Sequence, residues 1–140
     1  MLPFFLALHW EYVGSFLDVN FSLKASHLGS LDPHSTIVLG AAVLGIVALL
    51  VLHLVWAWQE GIHYPYVAAL VGIPLLIGTS SLLLGDGYHI HVHHYCLGAF
   101  LFPFFRFRKL TSMVSQGFFL GLAIEGISRW GMDPLWYYVR

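Results

Sequence analysis

Four histidines fall within six residues: His89, His91, His93 and His94, in the string GDGYHIHVHHY. Neutral imidazole is the commonest protein metal ligand and suits Zn, Cu and Fe. His91 and His94 stand three apart, so in a helix they share a face. His89 and His91 alternate, so in an extended segment they point the same way. Asp86 adds a carboxylate just upstream. Further on, Glu125 lies in an apolar stretch with Arg129 four residues later. That spacing pairs opposite charges on one helical face. A glutamate inside a membrane is costly and needs a partner. The candidate metal set is therefore His89, His91, His93, His94 and Glu125, for a Zn, Cu or Fe ion. In an enzyme Glu125 would serve as ligand or general base. The same residues also read as solvated interfacial histidines beside a structural ion pair, Glu125–Arg129. No catalytic residue is assigned.

The elements that position these groups follow from composition. The chain has 140 residues, of which 59% are hydrophobic and 9% charged, and its mean hydropathy is +0.78. An ordinary soluble domain is about 25% charged, and so short a chain cannot hide this much apolar surface in one core. A disordered chain, a coiled coil and most soluble enzymes are excluded, which leaves a polytopic membrane protein. The net charge of -1 offers nothing to nucleic acid. The single cysteine, Cys96, excludes an intramolecular disulfide framework and a Cys-rich zinc module.

Hydropathy predicts an all-α transmembrane bundle of four spans, 35–58, 64–84, 88–107 and 111–128, as a single membrane domain over 1–140. About 23 residues in a helix cross a ~30 Å hydrocarbon core. Trp56 and Trp58 sit where an aromatic belt belongs. Pro65 suits a first helical turn, and Pro74 should kink the second span. Gly85-Asp86-Gly87 breaks the chain before the third span, which contains Pro103 and is followed by Arg106, Arg108 and Lys109. Residues 1–17 form either an interfacial amphipathic helix or a fifth span, with Glu11, Ser15 and Asp18 on one face. A secretory signal peptide is not expected, because no basic residues precede that apolar run.

Four spans place 18–35, 85–91 and the tail on one side, X, and the turns 59–63 and 106–110 on the other, Y. The basic residues near the spans are denser on Y, which assigns Y to the cytoplasm or matrix. The His-rich loop then faces a lumenal, extracellular or intermembrane-space compartment. Asn20-Phe21-Ser22 is a glycosylation sequon on that side.

Depth limits the chemistry. His53 and His63 fall toward Y and read as interfacial. A haem held by His53 and His94 is excluded, because His53 lies roughly 27 Å from the X end of its helix; haem is disfavoured altogether. Ser112, Ser115 and Ser128 lack a GxSxG elbow. One His cluster is also too few for a two-metal desaturase.

The fourth span has a second pattern. Gly117 and Gly121 form GxxxG, and Ala41 and Gly45 repeat the small-xxx-small spacing in the first span. Such residues permit close backbone approach, here read as packing within one bundle. Gln116 is expected to hydrogen-bond across helices. Phe100, Phe102, Phe104, Phe105, Phe118 and Phe119 read as lipid- or partner-facing surface.

The strings HVHHYCLGAFLFPFFRF and SQGFFLGLAIEGISRWGMD, within about residues 85–134, resemble the membrane region of LCCL-domain-containing multispanning proteins of fungi and protists. The shared order is His93-His94-Tyr95, then Pro103 and Arg106, then Gln116-Gly117, then Arg129-Trp130-Gly131 and Asp133. It covers about a third of the chain. The Cys-rich LCCL module is not expected within this sequence, and Glu125 stands where the family pattern suggests an amide or small polar residue. The resemblance implies that the last two spans form one module, with His93, His94 and Arg129 together at the X end.

Two functions follow as expectations. One is a small accessory or assembly subunit of a larger membrane complex, with the lipid bilayer and other subunits or itself as partners. The alternative is a stand-alone His-cluster metal-binding protein, acting as a redox or hydrolytic enzyme or as a metal carrier.

Overall fold

The computed structural model describes residues 1–10, 12, 33–84, 88–90, 94–132 and 134–138. In chain order the elements are α1 (Leu2–Leu8), α2 (Pro33–Gln59), α3 (His63–Leu84), β1 (Tyr88–Ile90), α4 (His94–Leu101), a 3-10 turn (Phe102–Phe104), α5 (Leu110–Trp130) and β2 (Trp136–Tyr138). The architecture is helical, with one two-stranded antiparallel ladder between β1 and β2. Among the described residues, three helices are long and apolar enough to cross a membrane: Pro33–Gln59, His63–Leu84 and Leu110–Arg129.

Local chemistry sets the ends of these helices. Pro33 opens α2, a position where a missing N–H costs nothing. At the far end the Ile62 N–H donates to the Ala57 carbonyl at 2.9 Å and the Gly61 N–H to Trp58 at 3.1 Å. This pair of bonds is a Schellman closure, and it requires the left-handed backbone that Gly61 adopts at φ 73. The turn reverses the chain into α3, which continues through Pro74. Near the end of α3, the hydroxyls of Thr79, Ser80 and Ser81 donate back to the carbonyls of Leu75, Leu76 and Ile77. Polar side chains are thereby satisfied within an apolar helix.

The third expected span differs from the structure. Hydropathy predicts a helix over 88–107; residues 88–90 instead form a strand, and the α-helix runs only from His94 to Leu101 before tightening into the 3-10 turn. The helical stretch is roughly half the length that a ~30 Å crossing needs. Two things shorten it. Pairing of 88–90 with 136–138 uses the backbone in a ladder, and Pro103 lacks the N–H that would continue the α-helix. The expected helix over 1–17 is described only at Leu2–Leu8 and a few residues beyond; most of 11–17 lies outside the described residues.

α5 is the hub. α4 packs on one of its faces through Gly98, where an added Cβ would meet the Phe119 carbonyl at 2.7 Å and the Ala123 nitrogen at 2.8 Å. α1 packs on another through Gly121, where a Cβ would meet the Phe4 carbonyl at 2.5 Å and the Ala7 Cβ at 2.9 Å. The Gly117–Gly121 face is thus occupied within the chain, by the N-terminal helix. Ala7, Leu101, Phe105, Phe119 and Leu122 form the core between these helices, with Phe105 and Phe119 stacked at 5.1 Å. The reading of the phenylalanines as outward surface is therefore corrected: Phe104, Phe105 and Phe119 are buried. The aromatic run turns inward because the 3-10 turn winds Phe104 and Phe105 between α2, α3 and α5. Gln116 is half-buried, and no hydrogen bond from it is seen among the described residues.

By contrast, α2 and α3 bury few residues, and α2 reaches the core through Ile46, Leu49 and Leu50. Ser35, His53 and Ala57 are the buried residues of α2, and Tyr66 is that of α3.

Candidate functional site

At the X end, α5 presents Glu125 inward, only 4% exposed, with Arg129 one turn later and 37% exposed. Arg129 Nε lies 2.6 Å from Glu125 Oε1. This is a charge-assisted hydrogen bond, about twice as strong as a neutral one. The Ser128 hydroxyl donates to the Glu125 backbone carbonyl at 2.8 Å.

The antiparallel register of α4 against α5 is read from two contacts. Gly98 lies against the segment from Phe119 to Ala123, and the Phe107 N–H donates to Ser112 Oγ at 3.0 Å. Carried one turn back from Gly98, the same register sets the backbone of His94 at the level of Glu125. β1 reaches the same end of the molecule. His89 pairs with Tyr137 and Ile90 with Trp136, while the Trp136 indole donates to Ser81 Oγ at 2.8 Å, tying the ladder to the end of α3.

The imidazoles themselves are another matter. His91, His93 and Asp86 lie outside the described residues, and for His89 and His94 only the backbone is described. Among the described residues, no group of three or more His, Cys, Asp or Glu side chains is placed to hold a metal ion.

The Y end holds a polar cluster that sequence reasoning missed. His53, which the sequence places toward Y, is fully buried, because α2 turns it onto the same inner stripe as Ala57, one turn later. Its Nδ1 lies 2.6 Å from the Leu49 carbonyl. A carbonyl only accepts, so Nδ1 carries the proton and a neutral ring leaves Nε2 as an acceptor. The ring packs on Trp56 at 4.8 Å, Phe105 at 4.7 Å and Phe107 at 5.7 Å. Tyr66 meets Phe104 at 5.2 Å and Phe107 at 6.4 Å from the α3 side. His63 stacks on Trp58 at 4.2 Å. Three polar atoms here are buried without a hydrogen-bond partner: His53 Nε2, His63 Nδ1 and Tyr66 Oη. The signal that could have found His53 is its spacing from Leu49, Leu50 and Ala57, an inward stripe that the uniformly apolar helix conceals.

Between α3 and α4 opens a cavity of about 1090 Å³ with apolar walls, running from Ile62 and Tyr66 at the Y end to Ile77 and Gly78 toward X. Arg106 lines it at the Y end.

No family model, curated protein or solved structure matches the chain. The three long apolar helices give it the architecture of a helical integral membrane protein.

Proposed function

We propose that the protein is a small accessory or assembly subunit of a larger membrane complex, with α2 as its docking helix. The observation that carries this reading is the contrast between two sets of glycines. Gly98 and Gly121 are filled by neighbouring backbone, whereas a Cβ built at Gly40 or Gly45 would meet nothing within 4 Å. Ala41, Gly45 and Ala48 are exposed at helical spacing along α2. Lipid is accommodated by bulky apolar side chains. Small residues at this spacing suit the close approach of another helix. The partner is another membrane subunit or a second copy of the chain. The resemblance of residues 85–134 to LCCL-domain membrane regions fits a module that works as part of something larger. In this reading Y faces the cytoplasm or matrix, and X a lumenal, extracellular or intermembrane-space compartment.

The test is the protein mass of the particle solubilised in mild detergent. We expect a discrete mass well above the 15.7 kDa of the chain, reduced to 15.7 kDa by Gly45→Leu. A wild-type particle of one chain would overturn the reading. The alternative, a stand-alone metal-binding protein, is favoured by the common level of His94 and Glu125. Elemental analysis of the same particle separates the two. Stoichiometric Zn, Cu or Fe, lost in both His91→Ala and His94→Ala, would favour the metal reading.

A further inference from the structure

We infer that the cleft between α3 and α4 binds an acidic phospholipid taken from the Y leaflet. This goes beyond the subunit reading and does not depend on it, since the docking stripe is on α2. The cleft follows α3 from Ile62 to Gly78, about 24 Å of helix and most of a ~30 Å hydrocarbon core. A slot of that length with apolar walls suits an extended acyl chain better than a compact polar metabolite.

Its one charged lining residue among those described, Arg106, lies at the Y end. Arg106 lines the cleft immediately after the 3-10 turn, and Arg108 and Lys109 follow, all three exposed. None of them makes an ion pair among the described residues, and Glu60 is the acidic side chain described at that end. A guanidinium fits a phosphate through two parallel N–H bonds. Tyr66 is in the same wall, one turn inside the start of α3. Its hydroxyl is buried and without a partner. The order Arg106, then apolar wall, matches the order of phosphate and acyl chain along a phospholipid.

The test uses the whole protein in nanodiscs of equimolar phosphatidylglycerol and phosphatidylcholine, read by native mass spectrometry. We expect one retained phosphatidylglycerol per chain, with a preference over phosphatidylcholine of about tenfold. Arg106→Gln should abolish that preference. Arg108→Gln, outside the lining, should leave it within about twofold. Gly78→Leu should reduce retention of both lipids; a Cβ there meets nothing within 4 Å, so the fold tolerates it. The inference is overturned by equal retention of the two lipids, by no retained lipid, by a preference that survives Arg106→Gln, or by equal losses in Arg106→Gln and Arg108→Gln. A polypeptide bound in the cleft of the delipidated protein would overturn it as well.

Discussion

Gly98→Val is expected to destabilise the protein by about 3 kcal/mol or more, and Gly121→Val by a similar amount. At both positions the added carbon would fall under 3 Å from backbone atoms of a neighbouring helix, Phe119 and Ala123 for Gly98 and Phe4 for Gly121. A flexible side chain could swing away; a backbone carbonyl moves only if its helix moves. α4 and α1 would each have to lift off α5, and the contacts of Leu101, Phe105 and Ala7 in the core would be lost with them. Gly45→Val makes the contrast. Nothing lies within 4 Å of its Cβ, so in the isolated chain its effect should stay within about 0.5 kcal/mol. Reversible unfolding in mixed micelles of graded SDS content measures all three. Equal effects at positions 98 and 45 would mean that the helices do not pack on α5 as described.

The second large effect concerns the ion pair. Arg129→Leu should cost about 2–4 kcal/mol, because it removes the guanidinium from a carboxylate that is almost wholly buried. Glu125→Leu should cost less. Arg129 is 37% exposed, and its long stem can carry the charge to water when the carboxylate is gone. The double substitution should cost less than Arg129→Leu alone, since no buried charge is then left behind. The same unfolding assay, run as a double-mutant cycle, reads the coupling. Strict additivity of the two single effects would show that the pair contributes nothing together.

Much of the fold was legible in the sequence, for physical reasons. The long helices carry their own stop signals, such as the glycine of the Gln59-Glu60-Gly61 turn, and their lengths suffice to cross the ~30 Å hydrocarbon core of a bilayer. The α4–α5 hairpin was less legible. Its first half is short, and a strand contributed by the distant tail claims 88–90, a pairing that no local pattern announces. The Glu125–Arg129 contact follows from spacing along one helix. His53 shows the opposite case. In a helix that is apolar on every side, periodicity does not say which face turns inward. The inner face of α2 is set by Phe105 and Phe107, residues from another part of the chain. The buried phenylalanines are illegible for the same reason: in a membrane protein, apolar character alone does not separate core from lipid-facing surface.

The central claim is that α2 offers its small-residue face to another membrane protein. The most direct measurement is photo-crosslinking in the native membrane, with a short photoreactive residue placed in turn at Ala41, Gly45 and Ala48, and then at Val43 and Val47, exposed on another face of the helix. The account predicts a single protein adduct of constant mass from the first three positions and mainly lipid adducts from the others. Lipid adducts of equal yield from all five would contradict it.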